Sequence, residues 1–231
     1  MKLLAVDTSG APATVAILDG GKIRYETSLD TGLTHSRTIA PMIDLALTAA
    51  GLVPADMDYF AAAAGPGSFT GLRIGLAIVQ GLAHGCGKKV VPVNTLEGLA
   101  YNIAGEKIVC PLLDARNGNV YAAAYMTGEQ MLTLVECKAV HIKEFLASLP
   151  ESEHYMFLGD GATANRDIIF EQLGKKACFA PLHLMPQRAS SVAVAALGKI
   201  KEGKTVEYDQ LVPLYLKKPQ AESKYEQKDI G

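Results

Sequence analysis

Hydrophobic residues in this chain form short strand-like runs that alternate with longer segments of helical period. The first half reads as three strands followed by a helix, a strand, a helix, a strand and a helix, and the second half repeats this order. The pattern therefore predicts βββαβαβα twice. The predicted strands cover residues 3–7, 14–18, 22–28, 59–64, 90–93, 108–114, 120–126, 131–137, 155–158 and 177–179. The predicted helices cover residues 34–50, 71–84, 94–104, 141–149, 163–173 and 191–201.

This repeat predicts two tandem α/β domains, each with a mixed sheet flanked by helices. We place the boundary near Gly105, which gives an N-terminal domain of residues 1–105 and a C-terminal domain of residues 106–220. Residues 221–231 are polar, and we expect this tail to be disordered.

One segment combines an apolar strand, a glycine-rich turn and the start of a helix. Gly65 and Gly67 provide backbone freedom that a side chain would remove, and Ser68 or Thr70 can cap the helix that follows. Gly65, Gly67 and Gly71 form the pattern G-x-G-x-x-x-G, which is neither a P-loop nor the dinucleotide fingerprint. The turn therefore predicts either an anion site at the helix N-terminus or a tight packing corner.

Two predicted helices carry more apolar surface than one packing face needs. Helix 34–50 has a wide apolar arc, and helix 71–84 is apolar almost all round, apart from one stripe formed by Arg73, Gln80 and His84. Either both helices lie under the other domain or they form an interface with another chain, and we favour the interface. We assign six residues to this partner interface: Met42, Leu45, Ala49, Gly75, Ile78 and Leu82.

Composition restricts the partners and the compartment. The formal net charge is −2 and 49% of the residues are hydrophobic, so the chain has ample core and no general attraction to nucleic acid or to anionic membrane. No apolar run is long enough to span a membrane, and an aspartate interrupts the region where a signal peptide needs its apolar centre. The four cysteines show no C-x-x-C spacing. We therefore expect a reduced, cytoplasmic protein.

Each half begins with a strand that ends on an aspartate, Asp7 or Asp114. This arrangement resembles actin-like, Hsp70-like and sugar-kinase-like ATPases, in which the first hairpin of each domain grips nucleotide phosphates and the two aspartates position a metal ion. The second hairpin departs from the pattern, because Ala115 and Arg116 stand where glycine would admit a phosphate. Alternatively, both aspartates simply terminate strands. The resemblance assigns a vestigial nucleotide site to Asp7, Thr8, Ser9, Asp114, Arg116, Gly159 and Gly161.

Four sets of residues make the resemblance specific: 1–9, 65–75, 113–116 with 120–121, and 213–217. By these segments the chain is identified as a member of the TsaB family, also called YeaZ, over residues 1–219. The resemblance implies two tandem actin-like domains of the RNase H-like type. It also implies partnership with TsaD and TsaE in threonylcarbamoyladenosine modification of tRNA. TsaD would perform the chemistry, tRNA would be contacted only through the complex, and the isolated chain would form a homodimer. No cofactor would be required, and weak binding of ATP or ADP would remain possible.

The residues offer little support for catalysis by this chain alone. TsaD-type proteins carry a His-x-x-x-His pair on the first helix, but here His35 is followed four residues later by Ile39. A lone imidazole does not build a metal site, and Gly67-Ser68-Phe69 lacks the G-x-S-x-G elbow of serine hydrolases. We therefore predict no catalytic residue, no bound metal and a non-catalytic scaffold. The alternatives are an autonomous ATP-binding enzyme of the actin-like or sugar-kinase fold and, with less support, a metallopeptidase.

Overall fold

The computed structural model describes residues 1–216. These residues form two five-stranded sheets, with ten strands in all, and seven α-helices. The strands are β1 Lys2–Asp7, β2 Ala13–Asp19, β3 Lys22–Leu29, β4 Tyr59–Gly65, β5 Lys89–Asn94, β6 Lys107–Asp114, β7 Asn119–Thr127, β8 Leu132–His141, β9 Tyr155–Leu158 and β10 Ala177–Phe179. The helices are α1 His35–Ala50, α2 Phe69–Cys86, α3 Thr95–Ala100, α4 Ile142–Ala147, α5 Asp160–Ala164, α6 Arg166–Leu173 and α7 Ala189–Lys201.

The two halves of the chain build the same sheet twice. The first sheet has the order β3-β2-β1-β4-β5, and the second has the corresponding order β8-β7-β6-β9-β10. In each sheet the first three strands are antiparallel, and the strands that follow each helix run parallel to the first strand. The predicted βββαβαβα repeat is confirmed.

The inner strands β1, β4, β6 and β7 are buried on both faces because helices cover each sheet on two sides, whereas the outer strands β3 and β8 are largely exposed or half-buried. Along β1, Leu4 and Val6 point into a core closed by α1 and α2, while Leu3 and Ala5 point into a core closed by α7. The second sheet packs on α4, α5 and α6 on one side and on α3 on the other. Helices α3 and α7 contact each other, so this pair lies between the two sheets.

The division near Gly105 separates the sheets but not their helices. Helix α3 belongs to the first half by sequence, yet Leu96 and Leu99 pack into the core of the second sheet. Helix α7 belongs to the second half, yet Val192 and Ala196 pack on the first sheet. Each half therefore contributes one helix to the core of the other half.

Several local predictions need adjustment. The helix predicted over residues 163–173 is two helices, because Asn165 leaves the helical conformation and its side-chain amide donates to the Gly161 carbonyl at 2.9 Å. The helix predicted over 94–104 ends at Ala100, and the Asn94 side chain caps its N-terminus. The helix predicted over 34–50 begins at His35, Thr34 before it forms no side-chain cap, and Gly51 ends the helix in the left-handed conformation with φ 67°. The predicted tail, residues 221–231, lies outside the described residues.

Among the helices of residues 1–216, none combines the length and the apolar character needed to cross a membrane.

Candidate functional site

A cleft of about 680 Å³ opens between the two halves, where matching hairpins of the two sheets face each other. One wall is formed by the β1–β2 turn and the glycine-rich turn before α2. The opposite wall is formed by the end of β6, the β6–β7 turn and Asp160 at the start of α5. Gln187, just before α7, and residues 214–216 complete the lining.

Asp7 does not reach this cleft, which corrects the prediction that it faces a nucleotide. Its side chain is 2% exposed, and Oδ1 accepts hydrogen bonds from the Ser9 backbone N–H at 2.8 Å and from the Ser9 hydroxyl at 2.6 Å. Burial raises the pKa of the Asp7 carboxyl to about 6, although the two Ser9 hydrogen bonds and nearby His35 oppose the shift. Asp7 therefore stabilises the turn after β1.

The two hydroxyl groups after Asp7 are also engaged inside the chain. Thr8 Oγ1 donates to the Gly71 carbonyl at 2.8 Å, and the Ser9 hydroxyl donates to Asp7. The Ser9 carbonyl accepts from the Ser68 backbone N–H at 2.7 Å. The prediction that Thr8 and Ser9 offer hydroxyl groups to phosphate is wrong for this conformation, because both are buried and donate to protein acceptors.

The second hairpin does present its predicted residues to the cleft. Asp114 and Arg116 both line it, and Arg116 and Asn117 adopt left-handed conformations with φ 65° and 55°. The Asp114 carboxylate accepts from the Arg116 backbone N–H at 2.8 Å, and the Asp114 N–H donates to Asp160 Oδ1 at 3.0 Å. Burial raises the pKa of Asp160 above its usual range, and the Asp114 charge adds to this. This wall of the cleft thus combines the carboxyl groups of Asp114 and Asp160 with the guanidinium of Arg116.

Gly159 and Gly161 serve packing rather than a ligand. A β-carbon on Gly159 would lie 2.1 Å from the Leu112 carbonyl oxygen, and one on Gly161 would lie 2.7 Å from the Leu113 carbonyl carbon. Neither glycine lines the cleft. Their absence of side chains lets α5 approach the backbone of β6, so their assignment to a nucleotide site is corrected.

The glycine-rich turn is a packing corner. Gly65 has φ 119°, and a β-carbon there would lie 2.5 Å from the Leu214 carbonyl oxygen. Gly67 needs no unusual angle, contrary to the expectation, but a β-carbon would lie 2.4 Å from the Ser9 carbonyl oxygen. At Gly71 the corresponding contact is with the Thr8 carbonyl at 2.1 Å. Ser68 caps α2 by accepting from the Gly71 N–H at 3.2 Å, while Thr70 lies exposed in the first turn.

The polar stripe of α2 binds a C-terminal strap, defined here as residues 207–216. Arg73 Nε donates to the Tyr215 hydroxyl at 2.9 Å, and Gln80 Nε2 donates to the Leu211 carbonyl at 2.9 Å. The His84 ring packs edge-on against Tyr208 with 4.4 Å between centroids. Sequence reasoning found the stripe but not its partner, since helical spacing does not show which distant segment lies on a helix.

The predicted partner residues divide into exposed and buried groups. Leu45 is 57% exposed, Ala49 is also exposed, and Ile78 and Leu82 are half-buried at the edge of the core. Met42 is only 7% exposed and packs inside the first core. Gly75 is covered by Thr8, whose hydroxyl oxygen would lie 2.2 Å from a β-carbon. Met42 and Gly75 are therefore corrected to core positions.

Small residues do line the outer face of α2, at positions that the sequence analysis did not select. Ala77, Gly81 and Gly85 are exposed at intervals of one helical turn, and a β-carbon on either glycine would meet nothing within 4 Å. Together with Leu45, Ala49, Ile78 and Leu82 they form a surface on α1 and α2 that we call the outer helical face.

His35, for which the sequence offers no second histidine as a metal ligand, makes a structural contact. His35 Nε2 lies 3.0 Å from the Gly10 carbonyl oxygen and holds the β1–β2 turn against α1. Within residues 1–216, no three His, Cys, Asp or Glu side chains are grouped closely enough to hold a metal ion.

Two βββαβαβα units with a cleft between their matching hairpins define a two-domain protein of the actin-like fold. A family model described as TsaD, tRNA N6-adenosine threonylcarbamoyltransferase, matches residues 30–225. The tRNA threonylcarbamoyladenosine biosynthesis protein TsaB of Bacillus subtilis is 31% identical over 97% of this chain and 98% of that protein. TsaB of Escherichia coli is 31% identical over 94% of this chain and 95% of that protein. The solved structure of YeaZ from Pseudomonas aeruginosa has a TM-score of 0.80 at 27% identity, covering 93% of this chain and 99% of that one. The chain belongs to the TsaB family.

Proposed function

We propose that this protein is a non-catalytic subunit of the machinery that makes threonylcarbamoyladenosine in tRNA, and that its outer helical face binds TsaD. The family membership supports the pathway. The observation that carries the binding role is the exposure of Leu45, at 57%, beside half-buried Ile78 and Leu82 and a glycine-lined helix surface. Apolar side chains grouped in this way on two neighbouring helices are typical of a helical interface.

In this proposal the cytoplasmic complex also contains TsaE, and tRNA is contacted only through the complex. In the absence of TsaD, two copies of this chain associate through the same face. Catalysis lies with TsaD, and no cofactor is required by this chain. The engagement of Asp7, Thr8 and Ser9 within the chain supports this assignment, because the first hairpin has no free hydroxyl to offer to a nucleotide.

The second candidate is an autonomous ATP-binding enzyme of the same fold. The cleft with Asp114, Arg116 and Asp160 on one wall favours it. Calorimetry with ATP separates the two candidates. We expect the affinity for ATP to be no tighter than the micromolar range. Submicromolar binding of ATP that is lost in Asp114→Ala would favour the enzyme.

The test of the interface is Leu45→Glu. Burying a leucine is worth roughly 1.5–3 kcal/mol, so a charge at this position should weaken binding to TsaD at least tenfold. Leu182→Glu is the matched control, because Leu182 is 89% exposed and lies in the second half, away from the outer helical face. Affinity is measured by calorimetry with purified TsaD, and self-association by analytical ultracentrifugation.

Three results of this experiment decide whether the outer helical face binds TsaD. Loss of both TsaD binding and self-association in Leu45→Glu, with the control unchanged, supports one shared face. Wild-type affinity in a correctly folded Leu45→Glu variant contradicts the proposed face. Unfolding of Leu45→Glu would mean that the side chain belongs to the core. A tRNA modification assay with and without the chain then tests its requirement.

A further inference from the structure

A second cleft, of about 920 Å³, lies between helices α3 and α7 on one side and the β7–β8 hairpin on the other. We call it the α7–β8 cleft. Among the described residues, it shares no lining residue with the cleft between the matching hairpins. Its volume lies in the range of small-molecule sites. The α7–β8 cleft is therefore large enough to hold a small organic molecule of its own.

Tyr125 brings a buried hydroxyl group to this cleft. It is one of the lining residues, yet it is only 5% exposed, and its hydroxyl forms no hydrogen bond within residues 1–216. Burial raises the pKa of this phenol above its usual range, and the nearby Cys137, Glu97 and Glu136 side chains raise it further. Buried hydroxyl groups in proteins are nearly always hydrogen-bonded, so this one calls for a partner from outside the chain.

The cleft also contains carboxylates that the chain leaves unpaired. Two of the four glutamates in its lining form ion pairs with lysines, at 2.9 Å and 2.6 Å between Oε2 and Nζ. The other two, Glu129 and Glu136, form no ion pair within residues 1–216. A carboxylate and a phenol oxygen both accept hydrogen bonds, so together they suit an ammonium group.

The two unpaired carboxylates lie apart along the hairpin. Glu129 is in the β7–β8 turn, and Glu136 is the fifth residue of β8, which begins at Leu132. Since a strand rises about 3.3 Å per residue, roughly 13 Å separates Leu132 from Glu136 along the strand. Met131 lies between the two carboxylates in sequence and adds apolar surface to the lining. A linear aliphatic molecule with an ammonium group at each end fits this spacing better than a compact cation.

We propose that the α7–β8 cleft binds a linear aliphatic polyamine. One ammonium group donates to the Tyr125 hydroxyl and to the Glu136 carboxylate, and another contacts Glu129. The methylene chain between them packs on Met131. Lys201, on the α7 side of the cleft, opposes binding, because it forms no ion pair within residues 1–216 that would neutralise its charge.

The test is calorimetric titration of spermidine into the full chain at low ionic strength. Tyr125→Phe keeps the buried ring and removes only the hydroxyl. Hydrogen bonds to charged groups are among the stronger ones, so the affinity for spermidine should fall at least tenfold. Without spermidine, the free energy of unfolding of Tyr125→Phe should equal or exceed that of the wild type, because the hydroxyl has no partner in the chain. A purely structural role for the hydroxyl would lower it instead.

Glu136→Gln removes one proposed contact and should weaken binding about threefold, since the carboxylate is exposed and water screens it. Glu171→Gln is the matched control, because it removes the same charge from an exposed position on α6, outside the cleft. Lys201→Gln should bind spermidine more tightly than the wild type. Butylamine, which carries a single ammonium group, should bind at least tenfold more weakly than spermidine.

Amide NMR signals locate the site, because those of Tyr125 and Glu136 should shift during the spermidine titration. The proposal is overturned if the wild-type protein shows no saturable binding, if folded Tyr125→Phe binds as tightly as the wild type, or if the shifts lie elsewhere. Equal weakening in Glu136→Gln and Glu171→Gln would also overturn it, because the attraction would then be to the charge of the whole chain. None of these residues belongs to the outer helical face, so failure here would leave the proposed binding of TsaD unaffected.

Discussion

Asp7 shows how the fold changes the chemistry of a single residue. The sequence places a carboxylate at the end of the first strand, where it could face a ligand. In the folded chain Ser9 satisfies one of its oxygens and the surrounding core removes water from it. Burial outweighs the hydrogen bonds, so the pKa of the carboxyl is raised to about 6. Because the pKa of Asp7 is higher in the folded chain than in the unfolded chain, the folded chain holds the carboxyl proton up to a higher pH.

This shift gives stability a defined pH dependence. Between about pH 4 and pH 6 the unfolded chain has released the Asp7 proton while the folded chain retains it, so unfolding releases a proton. The contribution of Asp7 to the free energy of unfolding should therefore decrease by about 2 kcal/mol as pH rises through this window and level off above it.

The measurement is urea denaturation at pH 4 and pH 7. Asp7→Asn keeps an acceptor oxygen for Ser9 without a titrating proton. The free energy of unfolding of Asp7→Asn, relative to that of the wild type, should rise by about 2 kcal/mol from pH 4 to pH 7. Asp44→Asn, at an exposed position on α1, is the control. A constant difference between Asp7→Asn and the wild type would show that Asp7 is not desolvated in solution.

At the scale of the element, α2 has a different environment on each side. One face packs in the core through Leu72, Leu76 and Val79, and its polar stripe binds the C-terminal strap. The outer face, with Gly81 at its centre, faces away from the chain. This division explains why the helix is apolar almost all round and still carries one polar stripe.

Substitutions of Gly81 distinguish the stability of α2 from the proposed binding of a partner at the outer helical face. A β-carbon there meets no atom within 4 Å, and glycine in a helix interior costs roughly 0.5–1 kcal/mol relative to alanine. Gly81→Ala should therefore raise the free energy of unfolding of the isolated chain by about that amount in denaturant titration. Gly81→Leu should fold equally well but weaken TsaD binding at least tenfold, because it keeps the partner helix at a distance. Unchanged affinity in Gly81→Leu would exclude close approach at this position.

At the scale of the whole molecule, the C-terminal strap joins the end of the described chain to its first half. Tyr215 stacks on Phe69 with 4.9 Å between ring centroids, and the Arg73 guanidinium lies 3.9 Å from the Phe69 centroid. The Leu214 N–H donates to the Ala64 carbonyl at 2.7 Å, beside the position where Gly65 lacks a side chain. The strap thus covers the glycine-rich turn and forms part of the cleft lining.

Removing the Tyr215 ring should loosen this strap. Tyr215→Ala loses the stacking contact and the hydrogen bond from Arg73, each worth about 1 kcal/mol. Hydrogen exchange of the Leu214 amide should then become at least tenfold faster. Tyr215→Phe keeps the stacking and should show a smaller increase. Equal exchange rates in all three proteins would mean that backbone contacts alone hold the strap.

Local patterns were sufficient for the elements and their repeat. Alternation, helical periodicity and capping signals depend on neighbouring residues, so the βββαβαβα order and the capping role of Ser68 could be predicted. The helical pattern also indicated that the apolar arc of α1 is wider than one packing face needs, and Leu45 is 57% exposed. Arg116 was placed at the cleft by the family resemblance and not by a local pattern, and it lines the cleft.

Contacts between distant residues were decided only by the tertiary structure. Periodicity shows that a helix is amphipathic but not which sheet it covers, so the exchange of α3 and α7 between the two halves was not predicted. Gln187 carries no motif, and it lies on Gly10 only because α7 returns to the first sheet. Asp7 could be read as a ligand-facing acid until its burial was known, since burial depends on every element that packs around a residue. The sequence by itself determined the elements, and the three-dimensional packing decided which of their polar residues remain free to act.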